Sequence, residues 1–258
     1  MSGSCKMALE TQLKADLLKS ALASIDALRA EGAIVHCITN TVAQNFTANV
    51  LLACGATPSM TVAPEEVASF SARADAVLIN LGTLDEARNE AINLSIDVCT
   101  KSEKPFVLDP VMCHVSPSRL AVAMEVLGRG PAIIRANTQE ADALRSHKNS
   151  DILPKTTFAL TGSVDIVRSV GHEIKIENGT HLLSKVTAIG CAQGGLMAAL
   201  LPKSNSPMIA AIASLIWVGV AGENASALSN GPGSFQAQFV DQLYSVETAE
   251  LKHKARIS

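Results

Sequence analysis

Short apolar runs alternate with segments of helical periodicity through the first 160 residues. The apolar runs predict buried strands at residues 33–38, 75–80, 105–109, 131–134 and 157–160. Helical spacing predicts an amphipathic helix over residues 8–30, ended by Gly32, and further helices over 43–54, from Pro64, over 84–101 and from Asn137. Because strands that are apolar on both faces need cover on both sides, this alternation predicts an α/β fold: a mostly parallel sheet in a three-layer αβα sandwich.

The pattern changes after Gly162. Three short runs predict hairpin strands at residues 165–170, 173–176 and 180–183, with turns at 171–172 and 178–179. Helices are then predicted over residues 191–201, 208–229 and 234–251. No linker rich in Pro, Gly or Ser and no repeat divides the sequence, so a single domain spanning residues 1–258 is expected.

Composition restricts the partners. Hydrophobic residues make up 48% of the 258 residues and charged residues 17%, which is enough for a sizeable core. The 21 Lys and Arg residues against 24 Asp and Glu residues give a net charge of -3, so no broad basic surface is available for nucleic acid or for an anionic membrane. Aromatic residues are only 3%, which also disfavours the stacking of bases.

The sequence favours a cytoplasmic location. Its first 20 residues lack the apolar segment of a signal peptide, and the longest apolar run, residues 208–221, is shorter than the roughly 20 residues of a membrane-spanning helix. No two cysteines form a CxxC pair, so neither a disulfide framework nor a zinc site is expected. The six are Cys5, Cys37, Cys54, Cys99, Cys113 and Cys191.

Polar residues stand at the predicted carboxyl ends of four strands, where open parallel sheets bind ligands. They are Thr39 with Asn40, Asn80, Asp109, and Thr161 with Gly162. A loop of small residues, 187–195, leads directly into an apolar helix, and such helix starts favour phosphate. Structural alternatives stay open: Asp109 as a strand exit, Glu140 in a capping box with Asn137, and Cys191 as a small buried hydrophobe.

Seven blocks of sequence occur in an order that carries a resemblance. They are VHCITNTVAQNFTANVLLACGATPSM (35–60), INLGTL (79–84), VLDPV (107–111), IRANTQE (134–140), LTG (160–162), IGC (189–191) and GPGSF (231–235). Together they resemble the hydroxyethylthiazole kinases, a thiamine-salvage family of the ribokinase-like fold, over residues 35–244. The resemblance implies phosphorylation of 4-methyl-5-(2-hydroxyethyl)thiazole by ATP with Mg²⁺, in a homotrimer whose thiazole site lies at a subunit interface.

The resemblance also implies roles for individual residues. Met60 and Asn40 match the thiazole pocket, and Ala188 matches the adjoining anion loop. Arg135, Thr161 and Gly190 match positions that contact ATP. Asp109 and Glu140 match the acids that organise Mg²⁺ and its waters, and Cys191 falls where the wider superfamily has an aspartate general base.

Four departures from the family pattern keep alternatives open. Ala188 and Ile189 replace a glycine and a small hydroxyl residue, residues 112–116 are bulkier than the usual small-residue loop, and Ala136 replaces a glycine. The stretch between Glu140 and the strand at Thr157 is short, and a helix there is expected to be lost. An active kinase is one hypothesis; a catalytically impaired homologue that only binds a ligand or partner is another, and a kinase for a different heterocyclic alcohol is the third.

Overall fold

A computed structural model describes residues 3–146 and 156–258, with side chains from Thr11 onward. Its eight-stranded sheet has the order β2-β1-β3-β4-β5-β6-β7-β8. The strands are β1 (Ile34–Ile38), β2 (Thr57–Ser59), β3 (Ala76–Asn80), β4 (Phe106–Asp109), β5 (Ile133–Asn137), β6 (Thr157–Thr161), β7 (Asp165–Ser169) and β8 (His172–Ile176). Strands β1 to β6 are parallel, whereas β7 and β8 extend the sheet in antiparallel pairing.

Ten helices lie along the described ranges. They are α1 (Gly3–Glu31), α2 (Gln44–Ala53), α3 (Pro64–Arg73), α4 (Glu86–Lys101), α5 (Pro117–Gly128), α6 (Thr138–Arg145), α7 (Ile189–Leu200), α8 (Pro207–Ala227), α9 (Pro232–Ser245) and α10 (Thr248–Lys254). One hydrophobic cluster joins the sheet to α1, α2, α7, α8 and α9, and a second joins its other face to α3, α4, α5 and α6. The predicted α/β sandwich is therefore confirmed.

Strand β3 shows why the strands appear in the sequence as continuous apolar runs. Ala76 and Leu78 enter the first cluster, while Val77 and Ile79 enter the second. Successive side chains of a strand point to opposite faces, so a sheet covered on both faces needs apolar residues at every position.

The predicted helix over residues 8–30 is confirmed and is extended at its start. Gly32, which ends it, has a φ of +68° and donates its N–H to the Leu28 carbonyl at 2.9 Å. The Pro64 start is also confirmed, with Glu65 and Glu66 in the first turn of α3. These acids lie at the positive end of the helix dipole.

Two predictions of secondary structure were wrong, and two elements were missed. Residues 180–183 were expected to form a strand, but a 3₁₀ helix (His181–Lys185) follows Thr180, whose hydroxyl accepts from the Leu182 N–H. The helix predicted over 234–251 is divided by extended backbone at Val246 into α9 and α10. Strand β2 and helix α5 were not predicted, although α5 begins with an N-cap, Ser116, and a proline. The expected loss of a helix after Glu140 concerns residues 147–155, which lie outside the described ranges.

Helix α8 is long and apolar enough to cross a membrane, but 89% of its most apolar window is buried inside the protein. Its Trp217 is fully buried and donates from Nε1 to the Leu243 carbonyl at 3.1 Å. The guanidinium of Arg29, on α1, lies 4.6 Å from the centre of the Trp217 ring and donates to the carbonyls of Leu243 and Val246 at 3.1 and 2.7 Å. Such burial on all sides is typical of a core helix.

Candidate active site

A chain of hydrogen bonds joins the carboxyl ends of three neighbouring strands. Asn40, after β1, donates from Nδ2 to Asn80 Oδ1 at 3.1 Å, and Asn80 donates from its own Nδ2 to Asp109 Oδ2 at 2.9 Å. Register places Asn80 directly beside Asp109. Gly82 allows this approach, because a Cβ there would lie 2.6 Å from the Cβ of Asn40. Three of the four polar strand ends noted in the sequence therefore form one site.

Asp109 is a buried carboxylate with one oxygen left free. Its Oδ1 has no hydrogen-bond partner and lies 3.8 Å from the Nη1 of Arg135. Burial raises the pKa of Asp109 to about 6, and the Arg135 charge opposes that rise. A buried acceptor without a partner is costly, so Oδ1 is an attractive position for a cation or a bound water.

Arg135 on β5 lies between the sheet and the start of α7. Its Nη2 donates to the Thr161 hydroxyl at 3.0 Å. A Cβ on Gly190 would lie 2.5–2.7 Å from the guanidinium atoms, so glycine is what lets Arg135 lie against the helix start. The structure thus brings Arg135, Thr161 and Gly190 together, with a cationic group and a helix N-terminus at one point.

The start of α7 carries two of the departures from the family pattern. Ala188, its N-cap residue, has a φ of +71°, in the left-handed region that favours glycine. The Ile189 side chain is 7% exposed and packs in the first hydrophobic cluster. Ile189 therefore packs against the core and also lines a cavity that opens beside Arg135.

Cys191 faces the asparagine chain from α7. Its Sγ accepts from Asn40 Nδ2 at 3.3 Å. Burial raises the pKa of the thiol to about 11, and the negative charge of Asp109 adds to the rise. At neutral pH Cys191 is therefore an uncharged thiol.

Glu140 forms the capping box that the sequence allowed as an alternative. Its Oε2 accepts from the Asn137 N–H at 2.9 Å, and the Glu140 N–H donates to Asn137 Oδ1 at 2.9 Å. Its Oε1 accepts from the Met112 N–H at 2.7 Å and so holds a residue whose φ is +56°. Glu140 is 3% exposed, and it joins the loop after Asp109 to the start of α6.

A cavity of about 530 Å³ opens beside Arg135. Arg135, Thr161 and Gly190 line it together with three more residues of the strand end and the loop noted in the sequence: Gly162, Ile189 and Gln193. Sequence reasoning did not place the other lining residues in a site: Ser163, Asp165, Asn178, Gly179, Thr180, His181, Leu183, Ser184, Val218 and Gly219. The Gly162 N–H donates to Asp165 Oδ1 at 2.9 Å. Both Gly and Asp are common turn residues, which is the local signal for this turn.

Met60 lies apart from this group. It follows the edge strand β2, which β1 and β3 separate from β4, and is partly buried against the first hydrophobic cluster. Neither Met60 nor Ala188 lines the cavity beside Arg135. Met60 therefore lies apart from the expected ATP contacts, whereas Ala188 directly precedes Ile189 and Gly190, which line the cavity.

A protein-family model described as the hydroxyethylthiazole kinase family matches residues 25–152 and 153–249. The chain belongs to the hydroxyethylthiazole kinase family. A probable hydroxyethylthiazole kinase from Agrobacterium fabrum is 38% identical over 223 residues, covering 86% of this chain and 88% of the relative. A hydroxyethylthiazole kinase from Cronobacter sakazakii is 38% identical over 257 residues, covering 90% and 96%. The family predicted from the seven sequence blocks is thus confirmed.

Solved structures agree with the family assignment. A hydroxyethylthiazole kinase protein from Pyrococcus horikoshii has a TM-score of 0.88 at 33% identity, covering 93% of this chain and 98% of its own. A ribokinase-like superfamily protein from Enterococcus faecalis has a TM-score of 0.61 at 12% identity, covering 88% of this chain and 89% of its own. The second likeness concerns the fold alone, and it confirms the ribokinase-like architecture.

Proposed function

We propose that the protein transfers the terminal phosphoryl group of ATP to the hydroxyl of 4-methyl-5-(2-hydroxyethyl)thiazole, a reaction of thiamine salvage. The observation that carries the proposal is the position of Arg135, which lies against the start of α7, beside Asp109 and at the wall of an open cavity. Phosphoryl transfer depends mainly on positioning and on neutralising charge, and these groups supply both.

Arg135, Thr161 and Gly190 bind the phosphates of ATP in this proposal. The guanidinium donates to phosphate oxygens, and the N–H groups at the start of α7 add the positive end of a helix dipole. The cavity beyond them takes the rest of the nucleotide. All the positive potential that the protein provides is thus local, which agrees with a net charge of -3.

The residues present fit a Mg²⁺ ion that arrives with ATP. The free Oδ1 of Asp109 is the kind of ligand that Mg²⁺ prefers, and one or two carboxylates suffice when phosphates and waters complete the shell. Each Glu140 oxygen accepts one N–H and keeps a lone pair for a metal-bound water. When bound, the ion neutralises charge on the transferred group.

Asn40, Met60 and Ala188 form the acceptor site in the proposal, and Cys191 stands beside it in place of a general base. A neutral thiol removes a proton poorly, so Cys191 contributes more by contact with the alcohol than by proton transfer. Loose transition states for phosphoryl transfer need little help from a base. The arrangement therefore supports a kinase that relies on Arg135 and the metal.

We also propose a cytoplasmic homotrimer of single-domain subunits with the acceptor site at a subunit interface. Met60 lies at the edge of the sheet, and two exposed apolar side chains on neighbouring segments, Val42 and Leu52, are 68% and 58% exposed. An apolar edge of this kind favours contact with a second subunit. The low positive charge supports neither nucleic acid nor membrane as a partner.

An assay with purified protein, ATP, Mg²⁺ and the thiazole alcohol tests the proposal. Product should form, and Arg135→Ala should reduce its rate at least a hundredfold; formation no faster than in Arg135→Ala would overturn the proposal. Calorimetry separates the impaired homologue, which would bind the thiazole without binding Mg·ATP. A panel of pyrimidine and pyridine alcohols identifies a different acceptor if one of them reacts faster.

A further inference from the structure

One wall of the cavity beside Arg135 is built by the loop between β8 and the following 3₁₀ helix. Asn178, Gly179 and Thr180 of this loop line the cavity. Asn178 is only 6% exposed, and a Cβ on Gly219 of α8 would lie 2.6 Å from its side chain. The loop is therefore packed closely against α8 and forms part of the cavity wall.

Asn178 uses its whole amide group to hold segments that are distant in sequence. Its Nδ2 donates to the Lys254 carbonyl at 2.9 Å and approaches both Glu223 oxygens at 3.3 and 3.4 Å. Its Oδ1 accepts from the Arg256 N–H at 2.8 Å. One loop residue thus joins α8, the end of α10 and the segment that follows α10.

Glu223 on α8 forms the centre of the same network. It accepts from the Gly179 N–H at 2.8 Å and from two nitrogens of the Arg256 guanidinium. Burial alone would raise the pKa of Glu223, but the bonds from Arg256, Gly179 and Asn178 hold it below its usual value. Glu223 is therefore charged at neutral pH and binds the loop and Arg256 at once.

Residues 255–258 are themselves fixed to the sheet. The backbone groups of Lys175 and Ser258 exchange two hydrogen bonds, at 2.9 and 3.0 Å, and the Glu177 N–H donates to the Arg256 carbonyl at 3.0 Å. Ile257 pairs with Ile176 in antiparallel fashion. The Arg256 side chain also donates to the Glu177 carbonyl at 2.6 Å. Arg256 is thus held by the edge strand β8 while its charge reaches Glu223.

We propose that Arg256 and Glu223 are positioning residues for the nucleotide: the segment after α10 holds the 178–180 wall of the cavity and so sets the affinity for ATP without touching the acceptor. The inference rests on the proposed function, because it takes this cavity as the ATP site. Neither residue lines the cavity, so both act through Asn178 and Gly179. Asp109 on β4, Asn40 after β1 and Cys191 on α7 are outside the network.

The test compares Arg256→Ala and Glu223→Gln with Lys254→Ala. Lys254 is a matched control, because its side chain binds Glu250 and Asn224, at 2.8 and 2.6 Å, and takes no part in the network. The substitution keeps the Lys254 backbone carbonyl, which is the group that accepts from Asn178. Calorimetry measures the Kd of a non-hydrolysable ATP analogue with Mg²⁺, and steady-state kinetics give the KM of each substrate. Thermal unfolding confirms that each variant is folded.

Arg256→Ala should weaken the binding of the ATP analogue about fivefold to tenfold, the range expected for the net loss of one typical hydrogen bond. The KM for ATP should rise in parallel, while kcat and the KM for the thiazole stay within twofold. Glu223→Gln should act in the same direction, and combining it with Arg256→Ala should add little, because the two residues act as one unit. Lys254→Ala should leave the Kd unchanged.

Unchanged nucleotide affinity in Arg256→Ala, or an equal loss in Lys254→Ala, would overturn the inference. A parallel rise in the KM for ATP and the KM for the thiazole would also overturn it, because that result indicates a general structural effect. Failure of the proposed function gives a different result. A protein that binds the ATP analogue but does not phosphorylate the thiazole contradicts the proposed function, while the comparison of Kd values among the variants still tests this inference. An unmodified protein that does not bind the ATP analogue refutes both.

Discussion

Gly190 and Arg135 are in such close contact that no side chain fits between them. A Cβ on Gly190 would lie 2.5 Å from the Nη2 of Arg135. Gly190→Ala should therefore displace the guanidinium and lower kcat/KM for ATP by about a hundredfold, the cost of misplacing a catalytic group by about 1 Å. Steady-state kinetics at varied ATP measure the loss. Gly233→Ala is the matched control, because no atom lies within 4 Å of a Cβ there; equal kinetics in the two variants would contradict the prediction.

Ala188→Gly should stabilise the protein. Ala188 has a φ of +71°, and this left-handed conformation costs a residue with a Cβ roughly 1–2 kcal/mol. Glycine avoids that cost, but its greater freedom in the unfolded chain offsets part of the gain. We expect a net gain of about 1 kcal/mol in the free energy of unfolding by urea titration. Ala63→Gly, at a residue with a φ of -74°, should lose stability instead. A gain of the same size in both variants would be inconsistent with relief of strain.

His36 should make stability depend on pH. Its Nε2 lies 3.0 Å from the Thr61 carbonyl, which only accepts, so Nε2 carries the proton, and Nδ1 lies 2.7 Å from the Ser71 hydroxyl. Burial lowers the pKa of His36 below its usual 6.5, although the bond to Thr61 opposes this. As pH falls below about 6.5, the unfolded chain therefore binds a proton before the folded protein does, and stability is lost.

Urea titrations between pH 5 and 7.5 test this expectation. The loss of stability on acidification should be smaller in His36→Asn than in the unmodified protein. His172→Asn, which changes an exposed histidine on β8, should keep the full loss. A pH profile in His36→Asn that runs parallel to that of the unmodified protein would refute the assignment.

Cys191→Ala should lower kcat by less than about tenfold. A general base contributes 10²–10⁴-fold, and a thiol with a pKa of about 11 is protonated at neutral pH and cannot supply that amount. Single-turnover rates at pH 7.5 give the change, with Arg135→Ala as the larger reference loss. A loss above a hundredfold would show that Cys191 takes the proton as a thiolate.

Much of the site could be predicted because it is local to strand ends. Asn40, Asn80 and Asp109 each follow an apolar run, and parallel strands bring their carboxyl ends to one edge. The positive φ of Ala188 could also be anticipated, since it replaces a glycine at a helix start. In both cases the short-range pattern contains the physical cause.

The cavity wall at residues 178–180 could not be predicted in this way. Residues 180–183 have the apolar content of a strand. The loop before them, however, is held by partners that are distant in the sequence: Glu223 lies 44 residues after Gly179, and Arg256 lies 78 residues after Asn178. A pattern read over a dozen residues contains no trace of such partners. Glu140 shows a related ambiguity, because a capping box and a magnesium site require the same residue at the same spacing.

The bonds from Arg29 to the carbonyls of Leu243 and Val246 have a consequence for how the chain folds. These partners lie 214 and 217 residues further along the sequence. During synthesis, α1 leaves the ribosome long before α8 and α9 exist, so its apolar face stays without its final partners until nearly the whole polypeptide has been made. Contacts of such separation form slowly, since a very long loop must close first. The half of the sheet covered by α1 and α8 is therefore expected to consolidate late, and until then the leucines of α1 stay exposed to aggregation or to binding by a chaperone.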